Sequence, residues 1–277
     1  VIRLTSGYRS TPEIINTANT ILRSASLGHE LDAINEHGEK PEAQGFKTEK
    51  EEIDALVNLI QKDLTNGIHG YEIAILARTN SQLESFESAL NAAGIENQIR
   101  NAERFFNRTE VREILKAIRS ASVLSEGDWL ADLRDAMKPF GESEYVRAFL
   151  QLARELETEG LISLRGFLRE LEDRAEQNNP PTLPGVALAT LHAAKGLEFP
   201  VVFLAGFEEG VFPHSRSLAE PEEMEEERRL AYVGITRARE LLNVSHAWSR
   251  SLYGNTQYNP PSRFLEEIPH ELFRIAG

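Results

Sequence analysis

Cysteine is absent from the 277 residues, which removes disulfides and thiolate metal sites together. The seven histidines fall in no H-E-x-x-H or comparable spacing, so no protein-bound metal is expected. No apolar run reaches the roughly 20 residues of a membrane-spanning helix, and no signal peptide stands at the start. The expected compartment is the cytoplasm, with no membrane partner. Nucleotide signatures are missing as well. Neither G-x-x-x-x-G-K-[ST] nor G-x-G-x-x-G occurs, and no apolar strand ends in an Asp-Glu pair that would hold magnesium. This chain alone is therefore not expected to hydrolyse a nucleotide. A nuclease is excluded for want of a clustered set of metal-binding carboxylates.

Basic charge is scarce too. Lys and Arg number 30 against 44 acids, a formal net charge of −14. That speaks against a generic basic nucleic-acid binder and leaves room for a local track. Six acids crowd into Glu220–Glu227, which reads as a solvated helix start, because acids favour the N-terminal dipole; the run is given no catalytic role. Apolar residues make up 41% of the chain, enough for a sizeable core. The chain opens at Val1 in a strand-like segment, as expected of a piece of a longer protein.

In order, Ile2–Thr5 is a strand candidate, and Tyr8 and Arg9 follow in a loop. Ser10 with Glu13 fits a capping box, with Pro12 in the first turn of a helix whose apolar face is Ile14, Ile15, Ala18, Ile21 and Leu22. Gly28–Pro41 is polar and loop-like; Glu42–Thr48 is a strand. Thr48 with Glu51 makes a second capping box, opening a helix that Asn66-Gly67 ends. Glu72–Arg78 reads as a buried strand, Gln82–Ala93 as a helix stopped by Gly94, and Ile95–Arg100 as a short strand. The β-α-β-α-β order predicts right-handed crossovers and a mostly parallel sheet.

The texture changes after a helix from Glu110 to Leu124. Trp129–Phe140, Glu144–Glu159 and Ser163–Gln177 read as amphipathic helices with no strand between them, and Asn178-Asn179-Pro180-Pro181 breaks the pattern. The expectation is an α/β domain over 1–124 and 185–277 with an all-α insertion over 125–184. Trp129, Phe140, Tyr145 and Phe149 recur on helix faces and read as core. Phe105 and Phe106 stay open: one to pack, the other to meet a base.

The rest of the chain supports the stretch from Ala187 to Ala238. Short β-branched runs (Val186–Leu191, Val201–Gly206) carry charged groups at their ends, as an α/β sheet does at the carboxyl ends of its strands. A Glu-rich helix is expected over Pro221–Glu240, then a strand at Leu242–His246 and a short helix at Ser262–Ile268. Arg9 and Arg237 stand where a guanidinium, planar and always charged, could reach a phosphate. On the residues alone, His192 is either a strand cap or a ligand, Lys195-Gly196 either an ordinary turn or a site, and Glu198 a surface carboxylate.

Several blocks in order resemble the C-terminal half of the UvrD/PcrA/Rep family of superfamily 1 DNA helicases. They are Tyr8-Arg9-Ser10 with Ala18-Asn19, Ala77-Arg78-Thr79-Asn80 with Gln82, and Phe106-x-Arg108-x-Glu110-Val111. After the helical insertion come Thr190-x-His192-x-x-Lys195-Gly196-Leu197-Glu198-Phe199 and Gly206-x-x-Glu209-Gly210-x-Phe212-Pro213. The last is Glu227-x-Arg229-Leu230-x-Tyr232-Val233-x-x-Thr236-Arg237-Ala238. Two departures stand out: Gly7 where the family has Asn, and an insertion that is short for the family.

The resemblance implies a RecA-like motor domain of an ATP-dependent helicase or translocase that steps 3′ to 5′. Arg9 and Arg237 would contact the γ-phosphate, and Tyr8 would stack on adenine. Gly196 and Glu198 would lie at the nucleotide cleft, Glu198 reaching the ribose. Arg78, Asn80, Thr190, His192 and Lys195 would line single-stranded DNA. The implied partners are single-stranded DNA, its junctions with duplex, and an N-terminal P-loop domain of the same protein that holds the Mg2+ of ATP. The alternative is a non-catalytic docking module derived from a helicase half.

Overall fold

The computed structural model describes residues 6–24, 30–99, 102–125, 127–161, 163–176, 181, 184–252 and 255–275. The strand expected at Ile2–Thr5 lies outside them. The chain begins β1 (Ser6–Gly7), α1 (Pro12–Ser24), β2 (Asp32–Ala33), β3 (Glu42–Thr48), α2 (Glu49–Thr65), β4 (Ile73–Ala77), α3 (Asn80–Ala92) and β5 (Asn97–Ile99). A helical stretch follows: α4 (Ala102–Asn107), α5 (Thr109–Leu124), α6 (Trp129–Met137), α7 (Glu144–Thr158) and α8 (Leu164–Glu176). Strands resume with β6 (Val186–Thr190) and β7 (Phe199–Leu204). Then come α9 (Pro221–Ile235), β8 (Ala238–Leu252), β9 (Asn255–Tyr258), α10 (Arg263–Glu266) and β10 (Arg274–Ile275). The chain divides into two compact units, Val1–Ile99 with Gly185–Gly277, and Arg100–Pro184.

The first unit is α/β. Its main sheet runs β10-β3-β8-β7-β4-β6-β5, with β9 added alongside β8. Neighbours along the seven-strand path are parallel, and only β9 pairs antiparallel. β4 shows why the sheet is double-faced: its five residues are all buried. Ile73, Ile75 and Ala77 face the core built with Leu56 and Ile60 of α2 and Leu83 and Phe86 of α3. Ala74 and Leu76, the alternate positions, face Ile14 and Ile21 of α1 and Leu230 and Ile235 of α9. A period of two on a strand covered on both sides gives an unbroken apolar run.

Of the first three helices, α2 and α3 start as local chemistry dictates. Thr48 Oγ1 accepts from Glu51 N at 3.2 Å and Thr79 caps α3 with Gln82 reaching back to Thr79 N at 3.0 Å. Ser10 does not cap α1: its hydroxyl donates to the Ala238 carbonyl at the start of β8. Glu13 instead accepts from Gly38 N and contacts His37.

A buried charge knot holds α2, the loop after β7, and β8 together. Arg250, 1% exposed, donates to Glu208 Oε1 at 2.7 Å, to Glu52 Oε2, and to Glu49 Oε1 at 3.1 Å. Glu52 also accepts from Gly206 N and Ser245 Oγ, and Glu208 from Ala247 N. Both fully buried carboxylates are thus hydrogen-bonded as well as paired, the condition for keeping charge inside a fold.

The second unit is all helical over its own core. Phe105, Trp129, Tyr145, Phe149 and Phe167 are buried there, with Phe106 and Phe140 partly buried against them, so the aromatic stripes of this region are packing. α5 belongs to this core through Val111, Ile114 and Ile118. The sequence reading starts the insertion at 125, whereas the unit starts at Arg100. The apolar face of α5 packs on its helical neighbours, so α5 goes with the insertion.

Candidate functional site

Parallel pairing decides which residues meet. β4 and β6 pair with Ala77 opposite Thr190. Arg78 and the turn after Thr190 therefore leave the sheet together, at its carboxyl edge. β7 and β8 pair with Phe199 opposite Ala238, and Phe199 N donates to Arg237 O at 2.9 Å. Glu198 and Arg237 therefore lie side by side at the amino edge, just before their strands begin. The expectation that all the charged groups sit at carboxyl ends is corrected for this half of the stretch. α9 ends at Ile235, not at Glu240, because Thr236 caps it, and Arg237 occupies the turn into a β8 far longer than Leu242–His246.

The amino-edge cluster draws on three distant segments. Arg9 Nε donates to Glu198 Oε2 at 2.6 Å, and Arg239 Nη1 lies 3.8 Å from Glu198 Oε1. Arg237 is buried, donating from Nε to Val233 O at 3.0 Å and from Nη1 to Leu197 O at 2.8 Å. Burial pulls its guanidinium down to about 10, with Arg9 adding repulsion against the pull of Glu198 and Tyr232. Three arginines around one carboxylate leave net positive charge in a partly desolvated place, which suits a polyphosphate.

Thr11 N donates to Arg239 O at 3.1 Å, and Asn35 Nδ2 to Tyr8 O at 3.0 Å. These bonds fix the Tyr8–Arg9 loop while the Tyr8 ring stays 72% exposed. A Cβ on Gly7 would meet only ordinary contacts at 3.7 Å, so the loop does not depend on glycine where the family has Asn. Gly196 takes φ +89° with open space around its missing Cβ. Backbone conformation, not crowding, is what calls for glycine there.

At the carboxyl edge, Arg78, Thr79, Asn80, Thr190 and His192 line one wall of an open cavity of about 460 Å³. His214, Arg216, Ser217 and Glu223 line the rest. Four of the five residues expected at DNA are thus brought together. Lys195 is exposed in the turn beyond His192 and is not among the lining residues. Burial, then Arg78, holds His192 below its ordinary value, and the same two causes act on His214. Among the described residues no group of His, Cys, Asp and Glu could hold a metal ion, and no helix is long and apolar enough to cross a membrane.

Glu227 was expected in a solvated run. It is buried, 3% exposed, and holds Arg78 in a two-pronged pair: Nη2 to Oε1 at 2.7 Å and Nε to Oε2 at 3.1 Å. The signal was the helical period. Glu227, Leu230, Ala231 and Gly234 share the buried stripe of α9, so position overrides the acidic neighbourhood. Arg239 was missed because it follows Arg237 in a stretch read as helix. Arg216 lies in a single short 3-10 helix, Ser215–Ala219, that His214 caps, too short for a periodicity to read.

A family profile described as the UvrD-like helicase C-terminal domain matches residues 2–124 and 128–249. The ATP-dependent DNA helicase UvrD2 of Mycobacterium tuberculosis strain H37Rv is 40% identical over 291 residues, covering 97% of this chain and 41% of its own length. The ATP-dependent DNA helicase PcrA of Bacillus subtilis is 40% identical over 204 residues, covering 72% of this chain and 26% of its own. PcrA of Staphylococcus aureus strain NCTC 8325 is 28% identical over 363 residues, covering 98% and 50%. The chain spans half or less of the length of these relatives. A solved structure described as the C-terminal domain of a possible DNA helicase from a Lactobacillus aligns at 15% identity with a TM-score of 0.48, over 97% of this chain and 98% of that one. The match along both segments of the first unit and most of the helical one makes this chain a member of the UvrD-like helicase C-terminal domain family.

Proposed function

We propose that this chain is the second motor domain of a cytoplasmic ATP-dependent DNA helicase that moves 3′ to 5′, with residues 100–184 as its reduced insertion. It completes an ATP site whose phosphate loop and Mg2+ ligands belong to a preceding domain. Arg9 and Arg237 act on the γ-phosphate, Tyr8 stacks on adenine, and Glu198 reaches the ribose from the turn that Gly196 shapes. Arg78, Asn80, Thr190 and His192 hold a single strand in the cavity at the carboxyl edge, near its junction with duplex, with Lys195 at the approach.

The observation that carries this reading is the meeting of Arg9, Glu198 and Arg237 at one edge of the sheet. Each comes from a different segment, and Arg9 and Glu198 are too exposed to serve the core. ATP fits the cluster by charge: bound, it supplies the phosphoryl group, and these residues supply donors where negative charge develops. The isolated chain should show no ATP turnover. In the full-length protein, Arg9→Ala should lower kcat while His192→Ala raises the Kd for oligothymidylate at fixed salt and leaves ATP affinity nearly intact. Turnover by the pure isolated chain, or loss of ATP and DNA affinity together in His192→Ala, rejects the division of labour.

A further inference from the structure

The cavity at the carboxyl edge has two walls of different origin. Arg78 and Asn80 follow β4, and Thr190 and His192 follow β6; His214 and Arg216 come from the turn between β7 and α9. One side chain is bonded to both. The Glu227 carboxylate takes the Arg78 guanidinium through Nε and Nη2, and also accepts the backbone N–H of His214 at 2.9 Å.

We infer that Glu227 is a positioning residue that sets the gap of this cavity for the sugar-phosphate backbone of a single strand, which rests on the DNA reading given above. The side chain of Glu227 is 4% exposed and that of Arg78 20%. Moving Arg78 onto a phosphate would strand the carboxylate, buried and without its counter-ion, so the pair stays closed when a ligand arrives. Arg78 then offers its remaining Nη1 edge as a fixed donor. With the pair neutral and Glu223 offsetting Arg216 in the lining, the cavity grips by placed hydrogen bonds more than by net charge. A single strand, whose phosphates can turn to meet fixed donors, satisfies that demand better than a rigid duplex does.

The test uses the full-length protein, titrated with fluorescent oligothymidylate at two salt concentrations. Glu227→Gln keeps the size but offers Arg78 an amide in place of one carboxylate oxygen. It should weaken binding about tenfold at both salts, the worth of one charge-assisted hydrogen bond. The DNA concentration that half-stimulates ATP hydrolysis should rise by the same factor, while kcat at saturating DNA falls far less. Glu227→Asp retains the charge one methylene short and should weaken binding as well. Tighter binding by Glu227→Gln would mean that the carboxylate only repels DNA, and equal binding that it plays no part in the contact; either overturns the inference. Loss of ATP and DNA affinity together would mean that Glu227 merely holds the fold, and overturns it too. Arg78→Ala separates the layers. If it leaves DNA binding unchanged, the DNA reading of the cavity fails; if it weakens binding and Glu227→Gln does not, only the positioning role falls.

Discussion

Arg9 Nε and Glu198 Oε2 stand 2.6 Å apart across 189 residues of chain. Their side chains are 36% and 44% exposed, so the pair adds only about 0–1 kcal/mol to the fold. Glu198→Gln should therefore lower the melting temperature by no more than about 4 °C. In the full-length protein the same change should cut kcat/KM for ATP by about tenfold, since a hydrogen bond to a charged group is lost. Calorimetry beside steady-state kinetics checks both; a large thermal loss with unchanged kcat/KM would reverse the assignment.

Arg237 differs in being buried, with Val233 O and Leu197 O as its acceptors. Arg237→Ala should cost about 1–3 kcal/mol in urea unfolding, because two partly buried carbonyls lose their donor. Arg237→Lys retains a cation and loses the planar fork. In the full-length protein either change should reduce kcat by about 10³-fold or more with ATP affinity changed only a few-fold. Single-turnover hydrolysis with a separate ATP titration measures the split, and an unchanged kcat rejects the γ-phosphate role.

Three histidines set an acid limit. Burial holds His192, His214 and His246 below the ordinary 6.5, and His246 Nδ1 has no partner among the described residues. The unfolded chain then binds more protons than the folded one as pH falls through 6.5, so stability drops there and is retained above it. Thermal melts of the isolated chain should be flat from about pH 8 to 7 and fall below about 6.5. His246→Phe should remove part of the fall. An acid profile identical to that of the parent chain would exclude His246 as a contributor.

The knot around Arg250 makes the strongest stability prediction. Removing Arg250 leaves Glu52 and Glu208, both fully buried, without their counter-ion. Arg250→Ala should destabilise the isolated chain by about 3–5 kcal/mol, and Arg250→Met should fare nearly as badly while both acids remain. Replacing Arg250, Glu52 and Glu208 together with apolar residues should recover much of the loss. Denaturant midpoints of the single and triple variants decide it.

Local rules made much of this fold legible. Thr48 caps α2 as its spacing to Glu51 implies, and the unbroken apolar run Ile73–Ala77 marks a strand covered on both faces. Long-range bonds were not legible. Ser10 looks like a cap until β8 brings the Ala238 carbonyl to it, 228 positions away. The end of α9 was hidden for a similar reason. Nothing local distinguishes Arg237–Glu240 as helix or strand, and pairing with β7 settles it. At the sites, the family resemblance and not local rules named Arg9, Glu198, Arg237, Arg78 and His192 as candidates. It did not show that they fall at opposite edges of the sheet, nor that Glu227, which opens the last block, is buried against Arg78.

Those opposite edges have a mechanical consequence. Of the connectors that cross the sheet from its carboxyl edge to its amino edge, the short segment 191–198 and helix α9 each touch both clusters. α9 holds Arg78 through Glu227 near its middle and the Arg237 guanidinium through Val233 O near its end. Those two anchor positions are about 9 Å apart along the axis at 1.5 Å per residue. A helix resists stretching, so this span is a ruler that fixes the spacing of the two anchor positions. The two connectors run in parallel, like the rails of a ladder, and on the proposed function they are the physical link between the nucleotide cluster and the DNA cavity.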